Sequence, residues 1–375
     1  MSKSLKSKPQ ITLIILTYQR HDFIRRQLLY YASYAVHLIF ADGSDERWEH
    51  EDKGVINGMS WDYIYFPGYD TYRERLHLAL EKVDTDYVCL LDDQECILWS
   101  GLIAAINTLE NNPDHSCAGG LASIYDSSNH NLTAWKGFSK LDLTHSDALN
   151  RFSKIVGPEH LSANLVYQVM RVSDLNNFSR NMRNHTGNST ATHEVALSGF
   201  LALKGKYLSG QYPYWIRNGG TVPVPEDFEV IITRDEIKRL ASKLLDMLNF
   251  NRSGESNNFI SIENLIAAIE IGWGPSSKWA LDSKKYLQGI RSHNKSIVQM
   301  LRTISSSFIK TRTPQIYQAY KTYKRPQING VYSFLEYAKL YSNNSYEVIR
   351  DLLLLEIIWK SFPNGIPSEF WQANS

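Results

Sequence analysis

Apolar residues in the first half of the chain alternate between short unbroken runs and helically spaced sets. Ile11 to Leu16 is an apolar, β-branched run, the pattern of a central parallel strand buried on both faces. From His21 to Ala35, apolar side chains recur at Ile24, Leu28, Tyr31 and Ala35, which is helical spacing. Val36–Phe40, Asp62–Phe66 and Tyr87–Leu91 read as further strands, and Tyr72–Val83 as a helix with Leu76, Leu80 and Val83 on one face. Ile97–Leu109 reads as a helix, Ser116–Ile124 as a return to the sheet through Gly119-Gly120, and Leu165–Met170 as a strand. His193–Lys204 reads as a helix, and Tyr212–Asp227 as an ordered loop rich in Pro, Gly and aromatics. Strands and helices alternating at this spacing predict an α/β fold with a doubly wound, mostly parallel sheet.

The pattern changes near residue 230. Thr233-Arg234-Asp235-Glu236 has the form of a capping box, which opens a helix by pairing its free N–H groups. Helical spacing then dominates over about 233–249, 261–272, 277–309, 331–341 and 345–361. The expected organisation is a flexible N-terminus (1–10), a nucleotide-binding α/β domain (11–230) and a mainly helical C-terminal region (231–375).

Composition narrows the class. A chain of 375 residues, 43% hydrophobic and 21% charged, is an ordinary globular protein. Its net charge of +1 offers no electrostatic footprint for nucleic acid. Cys89, Cys96 and Cys117 lack metal-ligand spacing, so reduced thiols in a cytoplasmic protein are expected. The Lys/Ser-rich start has no apolar signal core, and no run of about 18 apolar residues occurs.

The chemistry gathers at strand ends. Tyr87 to Leu91 runs directly into Asp92-Asp93-Gln94-Glu95. Strand cores exclude unpaired carboxylates, whereas positions just past a strand's C-terminal end are where open α/β sheets bind ligands. Hard oxygen ligands at that spacing suit a divalent cation that also binds phosphate; a solvated acidic turn is the plain alternative. Thr17-Tyr18-Gln19-Arg20 ends the first strand and Asp42-Gly43-Ser44 the second, so three polar loops share one sheet edge. Asp42 could accept hydrogen bonds from a nucleobase or ribose, and Gly43 would permit a tight turn.

In order and spacing, these motifs resemble those of family 2-like glycosyltransferases of the GT-A fold, in particular the bacterial surface-polysaccharide group. Such proteins open with a strand followed by Thr-Tyr-Asn/Gln-Arg, then carry Asp-Gly-Ser, a helix with a basic residue, Thr-x-Tyr-Val and an acidic cluster. This chain has Thr17-Tyr18-Gln19-Arg20, Asp42-Gly43-Ser44, Arg75, Thr85-Asp86-Tyr87-Val88 and Asp92-Asp93-Gln94-Glu95. The resemblance spans roughly residues 9–230. It implies a GT-A-like sheet and transfer of a sugar, with inversion, from a nucleotide-activated donor to a glycan or lipid-linked acceptor. A lipid-linked acceptor would leave room for contact of this cytoplasmic protein with the inner membrane face, and the C-terminal helices could shape the acceptor site or mediate self-association.

The same resemblance places a general base at Glu194, with His193 as fallback. It places donor contacts at Thr17, Tyr18, Arg20, Asp42, Ser44, Arg75, Asp92 and Arg217, and a divalent cation (Mn or Mg) on Asp93 and Glu95. Relatives carry Asp-Asp-Asp or Asp-x-Asp where this chain has Asp93-Gln94-Glu95, which puts metal identity and metal dependence in question. Two other readings stay open: a non-catalytic nucleotide- or glycan-binding module, and a sugar-nucleotide nucleotidyltransferase. The second is disfavoured because no Gly-rich phosphate loop follows Leu16. A dinucleotide oxidoreductase is disfavoured because no Gly-x-Gly-x-x-Gly follows the first strand.

Overall fold

The computed structural model describes residues 10–49, 59–68, 71–127, 129–135, 141–156, 163–183, 190–219, 232–249, 260–273, 328–341 and 345–366. Four strands build the centre: β1 (Ile11–Thr17), β2 (His37–Asp42), β3 (Ser60–Tyr65) and β4 (Tyr87–Asp92). They are parallel, in the order β3-β2-β1-β4. Helix α1 (His21–Tyr31) joins β1 to β2, and α2 (Tyr72–Leu80) joins β3 to β4. The run of buried residues in β1 follows from cover on both faces.

Strand order decides where a ligand can sit. From β1 the chain winds outward through β2 to β3, then crosses back so that β4 lies on the other side of β1. Right-handed crossovers taken in opposite directions put α1 and α2 on opposite faces. They open a crevice at the C-terminal ends of β1 and β4, the switch point of the sheet. Register aligns the polar ends there: Thr17 lies beside Asp42 and Leu16 beside Asp92. The expected α/β class, with a mostly parallel doubly wound sheet, is the one found.

The next segments depart from the expected pattern in detail. After β5 (Cys96–Ile97) and α3 (Trp99–Asn111), the predicted single return strand is two strands, β6 (Cys117–Ala118) and β7 (Leu121–Asp126), in different sheets. Beyond them come β8 (Asn131–Trp135), β9 (Asp142–Leu143), α4 (Ala148–Val156) and the short α5 (Ala163–Val166). The apolar run at 165–170, expected as one strand, is divided between α5 and β10 (Val169–Arg171). β10 pairs antiparallel with both β4 and β6 and completes the six-stranded sheet. α6 (Val172–Met182), α7 (Thr190–Lys204) and β11 (Tyr207–Leu208) follow. The segment expected as an ordered loop contains β12 (Pro213–Asn218), which pairs parallel with β7 and antiparallel with β5. A short apolar run does not reveal its partner, and period alone does not separate buried strand from buried helix.

The C-terminal region supplies α8 (Arg234–Asn249), α9 (Ile262–Trp273), β13 (Ile328–Tyr332), α10 (Phe334–Tyr341) and α11 (Tyr346–Ser361). The capping box forms as predicted: Thr233 N–H donates to Glu236 Oε2 at 2.9 Å. The helix expected over 277–309 lies outside the described residues. β13 overlaps the start of the helix expected over 331–341; it pairs antiparallel with β8 and so takes its stability from a distant edge. Apolar residues of α8, α9 and α11 join the same core as β1 and β4. No described helix is long and apolar enough to cross a membrane.

One buried carboxylate ties α11 to the front half of the chain. Asp351 is fully buried. Its Oδ1 accepts from Tyr34 OH at 2.8 Å, and its Oδ2 from the Ser100 backbone N–H at 2.7 Å. Ser100 lies in the first turn of α3, where backbone N–H groups have no partner within the helix. Asp351→Ala strands both donors in the interior, and we expect a loss of about 2–4 kcal/mol in unfolding free energy. Asp351→Asn, which keeps an acceptor, should recover part of it. Urea denaturation checks this; an unchanged midpoint for Asp351→Ala would show that neither donor depends on it.

Candidate functional site

The acidic turn is held from beneath by α1. Gln27 Nε2 donates to the Asp93 carbonyl at 2.8 Å and also to the Glu95 carbonyl. Arg26 Nη2 donates to the Gln94 carbonyl at 2.9 Å. Arg26 is itself buried, with its guanidinium 4.5 Å from the ring centroids of both Phe23 and Trp359. Burial lowers its pKa to about 10, and the nearby Asp93 carboxylate opposes the fall. Three successive carbonyls thus take side-chain donors from one helix, leaving the side chains of the turn to face the crevice.

Each acid of the turn has its own partners. Asp92 Oδ2 accepts from Tyr167 OH at 3.0 Å. Asp93 is buried; its Oδ2 accepts from Thr17 Oγ1 at 2.7 Å and its Oδ1 from Arg20 Nη1 at 3.2 Å. Glu95 is buried; its Oε2 accepts from Trp215 Nε1 at 2.8 Å, and its Oε1 lies 3.3 Å from Arg217 Nε. β12 makes the last pair possible. Residues two apart on a strand face the same way, so Trp215 and Arg217 both meet Glu95 next to β5. Burial raises all three acids: Asp93 to about 6, Glu95 well above the usual carboxylate range, and Asp92 in the same direction. The arginines oppose that rise.

The loop after β2 is arranged by Asp42, which is fully buried. It accepts from His21 Nε2 (2.9 Å), Tyr63 OH (2.6 Å), Ser44 N–H (2.9 Å) and Ser44 Oγ (2.5 Å). Burial pushes the carboxyl up, but these hydrogen bonds outweigh it and hold it below its usual value. Ser44 Oγ in turn accepts the Gln19 N–H at 2.7 Å. Gln19 has φ of 58°, a left-handed conformation that costs a non-glycine residue energy and persists only where its surroundings fix it.

Arg75 lies behind these loops, buried, donating to the carbonyls of Thr17 (2.9 Å) and Ala41 (2.7 Å). A Cβ on Gly43 would come within 2.6 Å of the Arg75 guanidinium. Space for Arg75 is therefore what requires the glycine; φ at Gly43 lies outside the left-handed region. Tyr18 is half-buried at the rim.

Glu194 and His193 lie in the first turns of α7 and point in different directions, successive helix residues being about 100° apart. His193 is buried edge-on between Tyr72 and Phe178, with centroids at 4.9 and 5.2 Å. Glu194 is half-buried. Burial and the charge of Asp92 raise its pKa to about 7, against the pull of Arg217. Its carboxylate takes no hydrogen bond among the described residues. Tyr167, raised by burial and by the charges of Asp92, Glu95 and Glu194, lies among these acids.

The structure thus brings Thr17, Arg20, Asp92, Asp93, Glu95, Glu194 and Arg217 into one crevice, with Asp42 and Ser44 shaping the loop beside it. Arg75 and His193 face the interior. Trp215 is fully buried and stacks on Tyr167 with centroids at 4.5 Å, while Tyr214 OH donates to the Tyr167 carbonyl. The sequence reading missed Arg26, Gln27 and Tyr167. A polar pair between Ile24 and Leu28 was the available signal for the first two; nothing local marks Tyr167.

The expected cation site was Asp93 with Glu95. Among the described residues no three Asp, Glu, His or Cys side chains form a metal-ligand group. All four carboxylate oxygens of that pair already face protein donors, so the donor set does not fit a divalent ion as it stands.

No protein-family model matches the sequence, and no curated protein matches it. Among solved structures the chain is similar to S. aureus TarS. One TarS structure shares 13% identity over 63% of this chain with a TM-score of 0.40, and the chain spans 40% of that protein's length. TarS 1–349 shares 11% identity over 94% of this chain and 91% of its own, with a TM-score of 0.43. Its complex with UDP shares 10% over 70% and 71%, with a TM-score of 0.43. At that distance, residue roles rest on this chain's own geometry.

The brace under the turn is directly testable. Gln27→Leu keeps the side-chain bulk and removes both donors, leaving two carbonyls short of a partner. We expect a loss of about 2–3 kcal/mol in stability, read from urea unfolding. A loss below about 0.5 kcal/mol, the scale of a surface substitution, would mean that the turn holds itself.

Proposed function

We propose that this protein is a glycosyltransferase that moves a sugar from a nucleoside-diphosphate donor to a hydroxyl of a glycan or lipid-linked acceptor, with inversion. The observation that carries the reading is Glu194: a half-buried carboxylate with no hydrogen-bond donor among the described residues, raised to about 7, at the crevice that the β1/β4 switch point opens. A general base works best when its pKa lies near the working pH. An anionic donor is supported by Arg20 and Arg217 at the same crevice.

In this reading the nucleoside lies along the ends of β1 and β2. Asp42 has four protein donors already, so it shapes that cradle through His21, Ser44 and Tyr63, and Tyr18 lines the rim. Arg217, held by Glu95, meets the diphosphate. Glu194 takes the proton of the acceptor hydroxyl as its oxygen attacks the anomeric carbon. The glycosidic bond to the donor breaks, and its electron pair leaves on the nucleoside diphosphate. A divalent ion, if one binds, would supply Lewis-acid neutralisation of that leaving group. Arg75 contributes by holding the ends of β1 and β2 together.

The donor base is read from a thermal-shift panel of UDP, GDP, CDP, CMP and dTDP, since a ligand that binds only the folded state raises apparent stability. The mechanism is read from pH dependence. Glu194 acts in its charged form, so kcat/KM should rise about tenfold per pH unit up to about pH 7 and level off above it. Glu194→Gln should abolish transfer while nucleotide affinity stays near wild type. Wild-type turnover in that variant, or a flat profile from acid to neutral pH, would remove Glu194 as base. Failure of every nucleotide to bind would favour a glycan-binding module.

A further inference from the structure

We infer that the acidic turn binds its diphosphate through Arg20 and Arg217 rather than through a divalent ion bound by Asp93 and Glu95. The inference takes its ligand from the nucleotide-sugar reading, but its chemistry, capture of a pyrophosphate-like anion, stands separately.

Depth in the crevice is the first reason. The side chains of Asp93 and Glu95 are 2% and 4% exposed, whereas those of Arg20 and Arg217 are 23% and 42% exposed. Guanidinium groups form the layer facing solvent, and the carboxylates lie behind them. At Asp93 and Glu95 the motif that reads as anionic along the chain is screened by guanidinium groups, while Asp92 and Glu194 stay half-buried beside them.

Valence is the second reason. Thr17 and Arg20 address the two oxygens of Asp93, and Trp215 and Arg217 the two oxygens of Glu95. The carbonyls of Asp93, Gln94 and Glu95 accept from Gln27 and Arg26, and Asp92 Oδ2 accepts from Tyr167 OH. Mg²⁺ requires a near-octahedral oxygen shell. Building one here would mean displacing Arg20 or Arg217 and seating a dication beside the guanidinium charge that remained. A diphosphate needs no such rearrangement. The planar guanidinium fork matches pairs of phosphate oxygens, and its charge is permanent. The acids then serve as anchors that hold the two arginines in place, so Gln94 and Glu95 in place of aspartates suit the turn to that task.

The test is calorimetric titration of the full chain with inorganic pyrophosphate and with the nucleoside diphosphates, once with EDTA and once with excess Mn²⁺ or Mg²⁺. We expect pyrophosphate to bind in EDTA with an affinity within about threefold of that with metal, a difference under 1 kcal/mol. Arg217→Met and Arg20→Met should each weaken it about tenfold or more, the scale of one charge-assisted hydrogen bond. Binding that is absent in EDTA and restored by Mn²⁺, with Mn²⁺ alone binding wild type but not Asp93→Asn, overturns the inference. Pyrophosphate bound without metal while no nucleotide binds keeps the anion site and removes the nucleotide-sugar reading. A nucleotide bound only with metal does the reverse. If either arginine variant fails to fold, the EDTA comparison on the wild-type chain decides the matter alone.

Discussion

Carboxylates buried at the end of β4 impose the condition that the surrounding structure meets. An acid removed from water loses solvation that only opposite charge or hydrogen bonds replace. Asp93 meets it with Thr17 and Arg20, Glu95 with Trp215 and Arg217, and Asp92 with Tyr167. The compensation is incomplete, since burial still raises all three, Asp93 to about 6 and Glu95 well above its usual value. Strongly shifted acids in a cleft mark a candidate functional site.

The same condition reaches far along the chain. Arg26 carries the Gln94 carbonyl on one side and meets Trp359 of α11 on the other. Asp351, eight residues before Trp359, closes the first turn of α3. The C-terminal helix is thereby part of the support of a turn more than 250 residues before it. Damage to α11 should reach the crevice through Arg26 even though no α11 side chain is among the candidate site residues.

Much of the architecture was legible because its signals are local. The apolar run at Ile11–Leu16, the helical spacing around Ile24 and Leu28, and the acids after Leu91 each follow from a few neighbouring residues, and strand ends locate the crevice. The misreadings share one physical origin. β12 and β13 are strands because distant edges pair with them, and β10 is short because α5 takes the start of its apolar run. Arg75 looked like a phosphate ligand from its position in the chain. Its burial behind Gly43 and its donation to two carbonyls are facts of packing.

By itself the sequence determined the fold class, the edge of the sheet where chemistry gathers, and the residue types found there. Those follow from periodicity and from the cost of placing charge inside a strand. Only the tertiary structure decided which residues face outward. Asp93 and Glu95 lie behind Arg20 and Arg217, His193 turns into an aromatic pocket while Glu194 turns to the crevice, and Arg26 and Gln27 hold the turn from below. Depth and direction are set by non-local packing of β12, α1, α7 and α11, and no local pattern of residues encodes them.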